Sequence, residues 1–76
     1  MIKIEIEGKI VKKGDNYVVV EVDNYRIACN YNHANQLQVG DTIHCKGVLN
    51  EINYYYNLEA LSIEMNIEEV LNVKRL

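Results

Sequence analysis

The chain has 76 residues and a formal charge of −3, with 49% hydrophobic and 25% charged residues. This length allows one small domain and leaves no room for a separate catalytic domain, and the composition is that of a folded chain rather than a disordered one. The acidic balance excludes a strongly basic nucleic-acid-binding arm, and the absence of proline excludes a proline-rich linker.

The N-terminal segment predicts a half-buried strand. Its apolar and charged residues alternate with a period of two. It is neither the core of a signal peptide nor a membrane span, so we expect a cytoplasmic protein. Gly8 interrupts the alternation before Ile10, and a glycine within a strand predicts a bend that lets one long strand belong to two sheets of a barrel. The alternating residues are Ile2, Lys3, Ile4, Glu5, Ile6 and Glu7.

Three further strands follow, separated by turn signals. We expect them at residues 17–22, 25–31 and 42–49. Residues 32–38 are polar and predict a loop or one helical turn anchored by Leu37. Gly47 predicts a second bulge. The intervening turns fall at Lys13-Gly14-Asp15-Asn16, Asp23-Asn24 and Val39-Gly40-Asp41.

The last third of the chain changes its period. A loop rich in Tyr and Asn is predicted over residues 50–57, and a fifth strand over 55–63, with an irregularity near Ala60. The strand's expected core residues are Leu58, Leu61 and Ile63. Helical spacing then predicts a short amphipathic helix over about 67–75, with a capping box at its start. The spacing is carried by Ile67, Val70, Leu71 and Lys74, and the box by Asn66 and Glu69.

No pattern in the sequence indicates catalysis or metal binding. The two cysteines, Cys29 and Cys45, fall on the apolar side of predicted strands, which favours buried free thiols and leaves a structural disulfide as the alternative. Together with His33 and His44 they match no zinc-binding spacing, and His44 and Cys45 are adjacent in a strand and point to opposite faces. We therefore expect no enzyme, no metal and no cofactor.

Five strands in so short a chain predict an all-β domain with a short C-terminal helix. We expect a five-stranded barrel over residues 1–64, and over 65–76 a helix that packs on the barrel or on a partner. Two barrel types compete, the OB-fold and the SH3-like barrel. The longest segment without strand character before the tail, 32–41, lies between strands three and four, where OB-folds carry an insertion, and this favours the OB-fold.

Four segments of the chain carry a resemblance to a known family: GKI at 8–10, IAC at 27–29, the LQVGDTIHCKGVL block at 37–49 and NLEALSIE at 57–64. Through them, residues 8–64 resemble the OB-fold nucleic-acid-binding superfamily, and especially small tRNA-anticodon-binding-like OB proteins of bacteria and mobile elements. The resemblance implies the OB-fold but does not determine the ligand, because OB modules bind single-stranded DNA, RNA, oligosaccharides or proteins.

Cations and aromatic rings fall where an OB-fold would hold a single strand, which is the outer face of strands two and three with the loops joining strands one–two and four–five. Each has a plainer explanation: the turn lysines are solvated, Arg26 pairs with Glu21, and the Tyr54–Tyr56 run caps the barrel or contacts a subunit. The predicted site consists of Lys9, Lys12, Lys13, Tyr17, Arg26, Asn30, Lys46, Tyr54 and Tyr55.

Two functions remain open from the sequence. The first is binding of single-stranded nucleic acid, DNA before RNA, in replication, repair or recombination. Residues 1–50 are neutral and residues 51–76 carry the charge of −3, so the acidity lies away from the predicted site. The second is a protein-interaction OB module without nucleic-acid binding, acting as a subunit, adaptor or inhibitor. The predicted helix, through Ile67, Val70 and Leu71, would then contact the partner or a second copy.

Overall fold

The computed structural model describes residues 1–76 as a closed barrel of five strands, in the order β1-β2-β3-β5-β4, with β4 pairing back onto β1. All neighbours are antiparallel except β3 and β5, which are parallel. This architecture confirms the all-β barrel and is consistent with an OB-like fold. The strands are β1 (Ile2–Lys13), β2 (Tyr17–Val22), β3 (Tyr25–Asn30), β4 (Thr42–Tyr55) and β5 (Ala60–Lys74), with single 3-10 turns at Ala34–Gln36 and Tyr56–Leu58.

The first strand belongs to both sides of the barrel, as predicted. Residues 2–9 pair with β4 and residues 9–13 pair with β2. The bulge itself lies at Val11, between the paired residues Ile10 and Lys12. Gly8 has a different role: a Cβ there would overlap the carbonyl oxygen of Glu21, so only glycine permits β2 to lie this close.

The core consists of inward side chains from all five strands. Alternation correctly identified those of β2, β3 and β4, including both cysteines, which are buried and free rather than joined in a disulfide. The segment between β3 and β4 forms one helical turn, and Leu37 anchors it, as predicted. The buried apolar residues are Ile10, Val18, Val20, Ile27, Cys29, Ala34, Leu37, Ile43, Cys45, Met65 and Ile67.

The helix predicted over residues 67–75 is wrong, because β5 continues as a strand to Lys74. The pairing with β4 skips Glu68 and Leu71, and each skipped residue is a bulge. Inward side chains therefore recur at residues 65, 67, 70 and 73, and the spacing of three from residue 67 onward imitates a helix. Ile67 is buried and Val70 packs against the core, whereas Leu71 is 40% exposed, so the three residues do not share one helical face.

The loop predicted over residues 50–57 is also wrong, because β4 continues to Tyr55, which pairs with Ala60. Residues 50–64, here called the arm, continue the β4–β5 pairing beyond the last pair between β1 and β4 at Ile2 and Leu49, and at the base of the arm Ile63 and Glu64 also pair with β3. Its turn closes with Glu59 in the left-handed region at φ 46°. Leu58, expected in the core, is 76% exposed at the tip.

The barrel has two unlike ends. The arm end carries the arm and the turn between β2 and β3, whereas the far end carries the turn between β1 and β2, residues 31–41 and residues 74–76. At the far end the buried carboxylate of Asp41 accepts hydrogen bonds from the Arg75 guanidinium at 2.7 Å and from the backbone N–H groups of Gln38 and Leu76. This arrangement fixes the last residues of the chain to the barrel.

Candidate functional site

The outer surface of β2 and β3 is the first part of the candidate site and is called the β2–β3 face. Three cross-strand pairs build it: Tyr17 opposite Asn30, Val19 opposite Ala28, and Glu21 opposite Arg26. The small pair in the middle leaves a shallow centre between two polar rows. Because β2 and β3 alternate regularly, these six side chains all point away from the core.

Two lysines of β1 extend this face. Lys9 lies opposite Glu21 and Lys12 lies opposite Val19, although residues three apart in a regular strand would point to opposite sides. The bulge at Val11 inserts the extra residue that turns both lysines outward. Both side chains are exposed and neither forms an ion pair. The face therefore gains two free cations.

The turn between β1 and β2 holds Tyr17 and Lys13 in different ways. The Tyr17 ring lies against Gly14, where any Cβ would overlap it, and it remains half-exposed on the β2–β3 face. Lys13 instead donates a hydrogen bond from its Nζ to the carbonyl oxygen of Leu37 at 2.7 Å. Of the two turn lysines, Lys12 is free and Lys13 ties the turn to the segment between β3 and β4.

Asn30 belongs to a small amide cluster across three strands. Its Nδ2 donates to Oδ1 of Asn66 at 2.9 Å, and Nδ2 of Asn50 donates to the same oxygen at 2.8 Å. Asn30 and Asn66 also line a depression of about 280 Å³ beside Tyr31. The cluster gives the face a row of hydrogen-bonding groups that carry no charge.

A groove of about 570 Å³ lies where the β2–β3 turn faces the arm. Tyr25 and Tyr54 supply its aromatic walls, Leu61 adds apolar surface, and Arg26 and Glu59 are its charged groups. The Nε of Arg26 lies 3.5 Å from Oε2 of Glu21, an exposed pair that leaves the guanidinium accessible. A slot between two tyrosines with a cation beside it can hold a flat ring.

Tyr25 was missed as a site residue. Strand parity turns it toward the core, and the sequence therefore predicts a buried side chain. It is the first residue of β3, however, and lies at the rim of the barrel, where half of its surface stays exposed. The feature of the sequence that could have identified Tyr25 as a site residue is its position directly after the hairpin turn.

The structure separates Tyr54 from Tyr55. Tyr54 lies opposite Leu61 on the groove side of the arm, where its ring meets that of Tyr56 edge-on with centroids 5.3 Å apart. Tyr55 lies opposite Ala60, and consecutive strand residues point to opposite faces. Tyr54 thus joins Arg26 at the groove, and Tyr55 does not.

Lys46 is placed on a different surface from the other predicted residues. It lies opposite Glu5 on β1, and its Nζ is 3.5 Å from Oε1 of Glu69 on β5. Nearby, Lys3 forms an ion pair with Glu68 at 2.5 Å, and Nε2 of His44 lies 2.5 Å from Oε2 of Glu5. We call this surface the paired wall. It consists of Lys3, Glu5, His44, Lys46, Glu68 and Glu69.

The two cysteine thiols lie in the core of the barrel, away from its outer surface. Burial, and secondarily the nearby Cys45, raises the pKa of the Cys29 thiol to about 12, and burial raises the pKa of Cys45 to about 11. Both thiols therefore stay protonated at neutral pH, and the thiolate is the nucleophilic form. No three His, Cys, Asp or Glu side chains are grouped so that they could hold a metal ion.

Comparisons of this chain with family models, curated proteins and solved structures find no match. No helix in the chain has the length and apolar character needed to cross a membrane. The surface geometry is therefore what a functional proposal rests on.

Proposed function

We propose that the chain is an OB-type module that binds single-stranded nucleic acid, DNA before RNA, across the β2–β3 face. The observation that carries this proposal is that one outer surface collects Tyr17, the free cations Lys9 and Lys12, and Arg26. Single-strand binding needs cations along the phosphates and flat side chains against the bases. OB-folds use this face and the adjoining loops for such ligands.

The two ends of the β2–β3 face set the path and the length of the nucleic acid that it can hold. One end presents Lys12 beside Tyr17, and the other presents Arg26 beside the groove between Tyr25 and Tyr54. Tyr17 and Glu21 are four positions apart along β2, which corresponds to about 13 Å at ~3.3 Å per residue. That span fits about two nucleotides on the face, with a further base entering the groove.

The acidic side chains on and beside the face limit the affinity. Glu21 lies within the face, and Glu64 of β5 lies opposite Ala28 of β3. With two to four phosphate contacts, the logarithm of the binding constant should fall with the logarithm of salt concentration with a slope between about −1.4 and −2.8. A strongly basic single-strand-binding protein would give a steeper slope.

The test is a titration of labelled oligo-dT and oligo-U at two salt concentrations, followed by fluorescence anisotropy. We expect oligo-dT to bind more tightly than oligo-U, with the shallow salt slope given above. Absence of binding at about 50 µM protein in low salt would remove the proposal, because stacking on exposed tyrosines should by then be measurable.

A second candidate, a protein-interaction module without nucleic-acid binding, is favoured by the arm. Its exposed residues include Ile52, Tyr54 and Leu58, and exposed apolar groups in one place are typical of interaction surfaces. The same titration distinguishes the two, because this candidate requires both oligonucleotides to be inert. A pull-down that returns one stoichiometric partner would then support it.

A further inference from the structure

The arm presents apolar side chains that nothing in the chain covers. Tyr56 is 85% exposed and Leu58 is 76% exposed at its tip, and Ile52 is 55% exposed along its length. Ile52 and Tyr54 lie opposite Ile63 and Leu61, so they share one side of the arm. Large apolar residues concentrated on one projection differ from the scattered exposed ones of an ordinary surface.

The charges of the arm are all negative. Residues 50–64 contain Glu51, Glu59 and Glu64 and neither lysine nor arginine. None of the three glutamates forms an ion pair within the chain. The surface that fits the arm is therefore one that combines apolar groups with cations.

The far end of the same barrel has this complementary character. A groove of about 430 Å³ lies there, lined by the apolar residues Val39 and Leu76, by Gln36 and Gln38, and by Asp41, whose charge Arg75 compensates. Val39 is 53% exposed. Lys74, next to the groove-lining Arg75, is exposed and has no acidic partner. The unpaired acids of the arm and an unpaired lysine of the far end thus lie at opposite ends of one molecule.

We propose that the arm of one copy binds the far-end groove of a second copy. In this contact Tyr56 and Leu58 enter between Val39 and Leu76, and Glu59 approaches Lys74. An arm-to-arm contact is disfavoured because it would bring like charges together. Since the two surfaces differ, the contact is head-to-tail, and repetition gives a ring or an open row of copies.

The variants that test this contact spare the β2–β3 face. The arm variant carries Tyr56→Ser and Leu58→Ser, and the far-end variant carries Val39→Ser and Lys74→Glu. All four residues are exposed, and circular dichroism melting curves check that both variants fold. Sedimentation velocity is measured at increasing concentration up to about 0.5 mM, in about 50 mM and about 500 mM salt, because screening weakens exposed charge contacts.

We expect the native chain to associate with rising concentration and less at high salt, and each variant to associate at least about tenfold more weakly, because buried tip residues carry most of the energy of such contacts. An equal mixture of the two variants should give dimers and nothing larger, since only one intact arm and one intact groove remain in each pair. A monomeric native chain at the highest concentration overturns the proposal, and so does a mixture that stays monomeric.

A charge exchange gives a second, independent test. Glu59→Lys should weaken association and Lys74→Glu should weaken it too. In a mixture of the two variants, the new lysine on the arm of one copy should meet the new glutamate at the far end of the other, which restores the native contact with its charges exchanged. If either single variant associates as the native chain does, Glu59 and Lys74 do not meet and the proposed contact is wrong. Oligonucleotide binding should be unchanged in the far-end variants, because Val39 and Lys74 lie away from the groove that Glu59 lines.

Discussion

The β2–β3 face and the paired wall are both formed by outward side chains of neighbouring strands, but they differ in whether their lysines have carboxylate partners. On the paired wall, Lys46 lies opposite Glu69 in the strand register, and Lys3 forms an ion pair with the bulge residue Glu68. On the β2–β3 face, Lys9 and Lys12 have no such partner. Cations that are neutralised within the fold contribute little to binding an anion, whereas free ones remain available for phosphate. The comparison teaches that pairing with carboxylates, rather than the number of lysines, decides which wall keeps free cations.

The largest loss of stability is expected at Gly47, where β4 lies closest to β5. A Cβ on Gly47 would overlap the backbone carbonyl of Asn66 on β5, and a backbone group cannot move aside as a side chain can. Gly47→Ala should therefore destabilise the fold by about 3 kcal/mol or more. Urea denaturation followed by circular dichroism measures this.

Gly14→Ala is the matched control on the β2–β3 side. Its Cβ would meet only the ring of Tyr17, a side chain that can rotate away. We expect a smaller loss of stability than for Gly47→Ala, accompanied by weaker oligonucleotide binding because Tyr17 is displaced. Equal destabilisation by the two substitutions would show that the close approach at Gly47 does not constrain the barrel.

The Asp41–Arg75 pair is the one ion pair with a buried carboxylate, so its contribution to stability can be compared with that of the exposed pairs. Burial of Asp41 works to raise its pKa, but the hydrogen bonds from Arg75, Gln38 and Leu76 outweigh it, and the net pKa lies below the ordinary value. A carboxyl group with a lowered pKa in the folded state stabilises the fold above its unfolded-state pKa, and this stabilisation is lost as the pH falls through the lowered pKa.

Asp41→Asn should accordingly lower the melting temperature at neutral pH by more than Lys46→Ala does. Below the lowered pKa the difference between the variant and the native chain should shrink, because Asp41 is then neutral in both states. Differential scanning calorimetry between about pH 2 and pH 7 measures both effects. A melting temperature difference that stays constant across this range would contradict the account of Asp41.

Lys12→Ala and Lys46→Ala each remove one positive charge, one from each wall. Loss of a phosphate contact at Lys12 should weaken binding of oligo-dT in low salt by about threefold to tenfold and make the salt slope shallower by about 0.7. Lys46→Ala should change the affinity for oligo-dT by less than about twofold, since Glu69 already compensates the charge of Lys46. Anisotropy titrations of both variants give the comparison, and equal losses would mean that the walls do not differ.

The smallest effect is expected from the exposed pairs themselves. Lys3→Ala breaks the ion pair with Glu68, yet solvent screens both side chains, and the free energy of unfolding should fall by less than about 1 kcal/mol. Urea denaturation detects a change of this size. A larger loss would indicate that the paired wall stabilises the barrel electrostatically and does more than neutralise its own cations.

Much of the barrel could be predicted from the sequence because β2, β3 and the first part of β4 alternate regularly. Val18, Val20, Cys29 and Cys45 follow from a period of two, and β2 has the bounds that the pattern predicts. The second half of β5 could not be predicted, since the bulges at Glu68 and Leu71 convert the period of two into one that resembles a helix. Only the pairing with β4 across the barrel reveals them.

The candidate site divides in the same way. Tyr17, Arg26 and Asn30 lie on one face because alternation is local, and the sequence is sufficient to place them together. The outward position of Lys12 depends on the bulge at Val11. The groove depends on long-range packing that brings Tyr25 near Tyr54, and the separation of Lys46 depends on the register between β1 and β4. None of these three relations is encoded in the spacing of neighbouring residues.

The central claim is that single-stranded nucleic acid lies on the β2–β3 face and leaves the paired wall free. The most direct measurement is the change of backbone amide shifts in two-dimensional NMR spectra of the ¹⁵N-labelled chain during titration with oligo-dT. We expect the shifted amides to map to residues 9–21 and 26–30 and to the groove at Tyr25 and Tyr54, with residues 3–7 and 44–46 unchanged. Shifts confined to the paired wall, or none at saturating oligonucleotide, would contradict it.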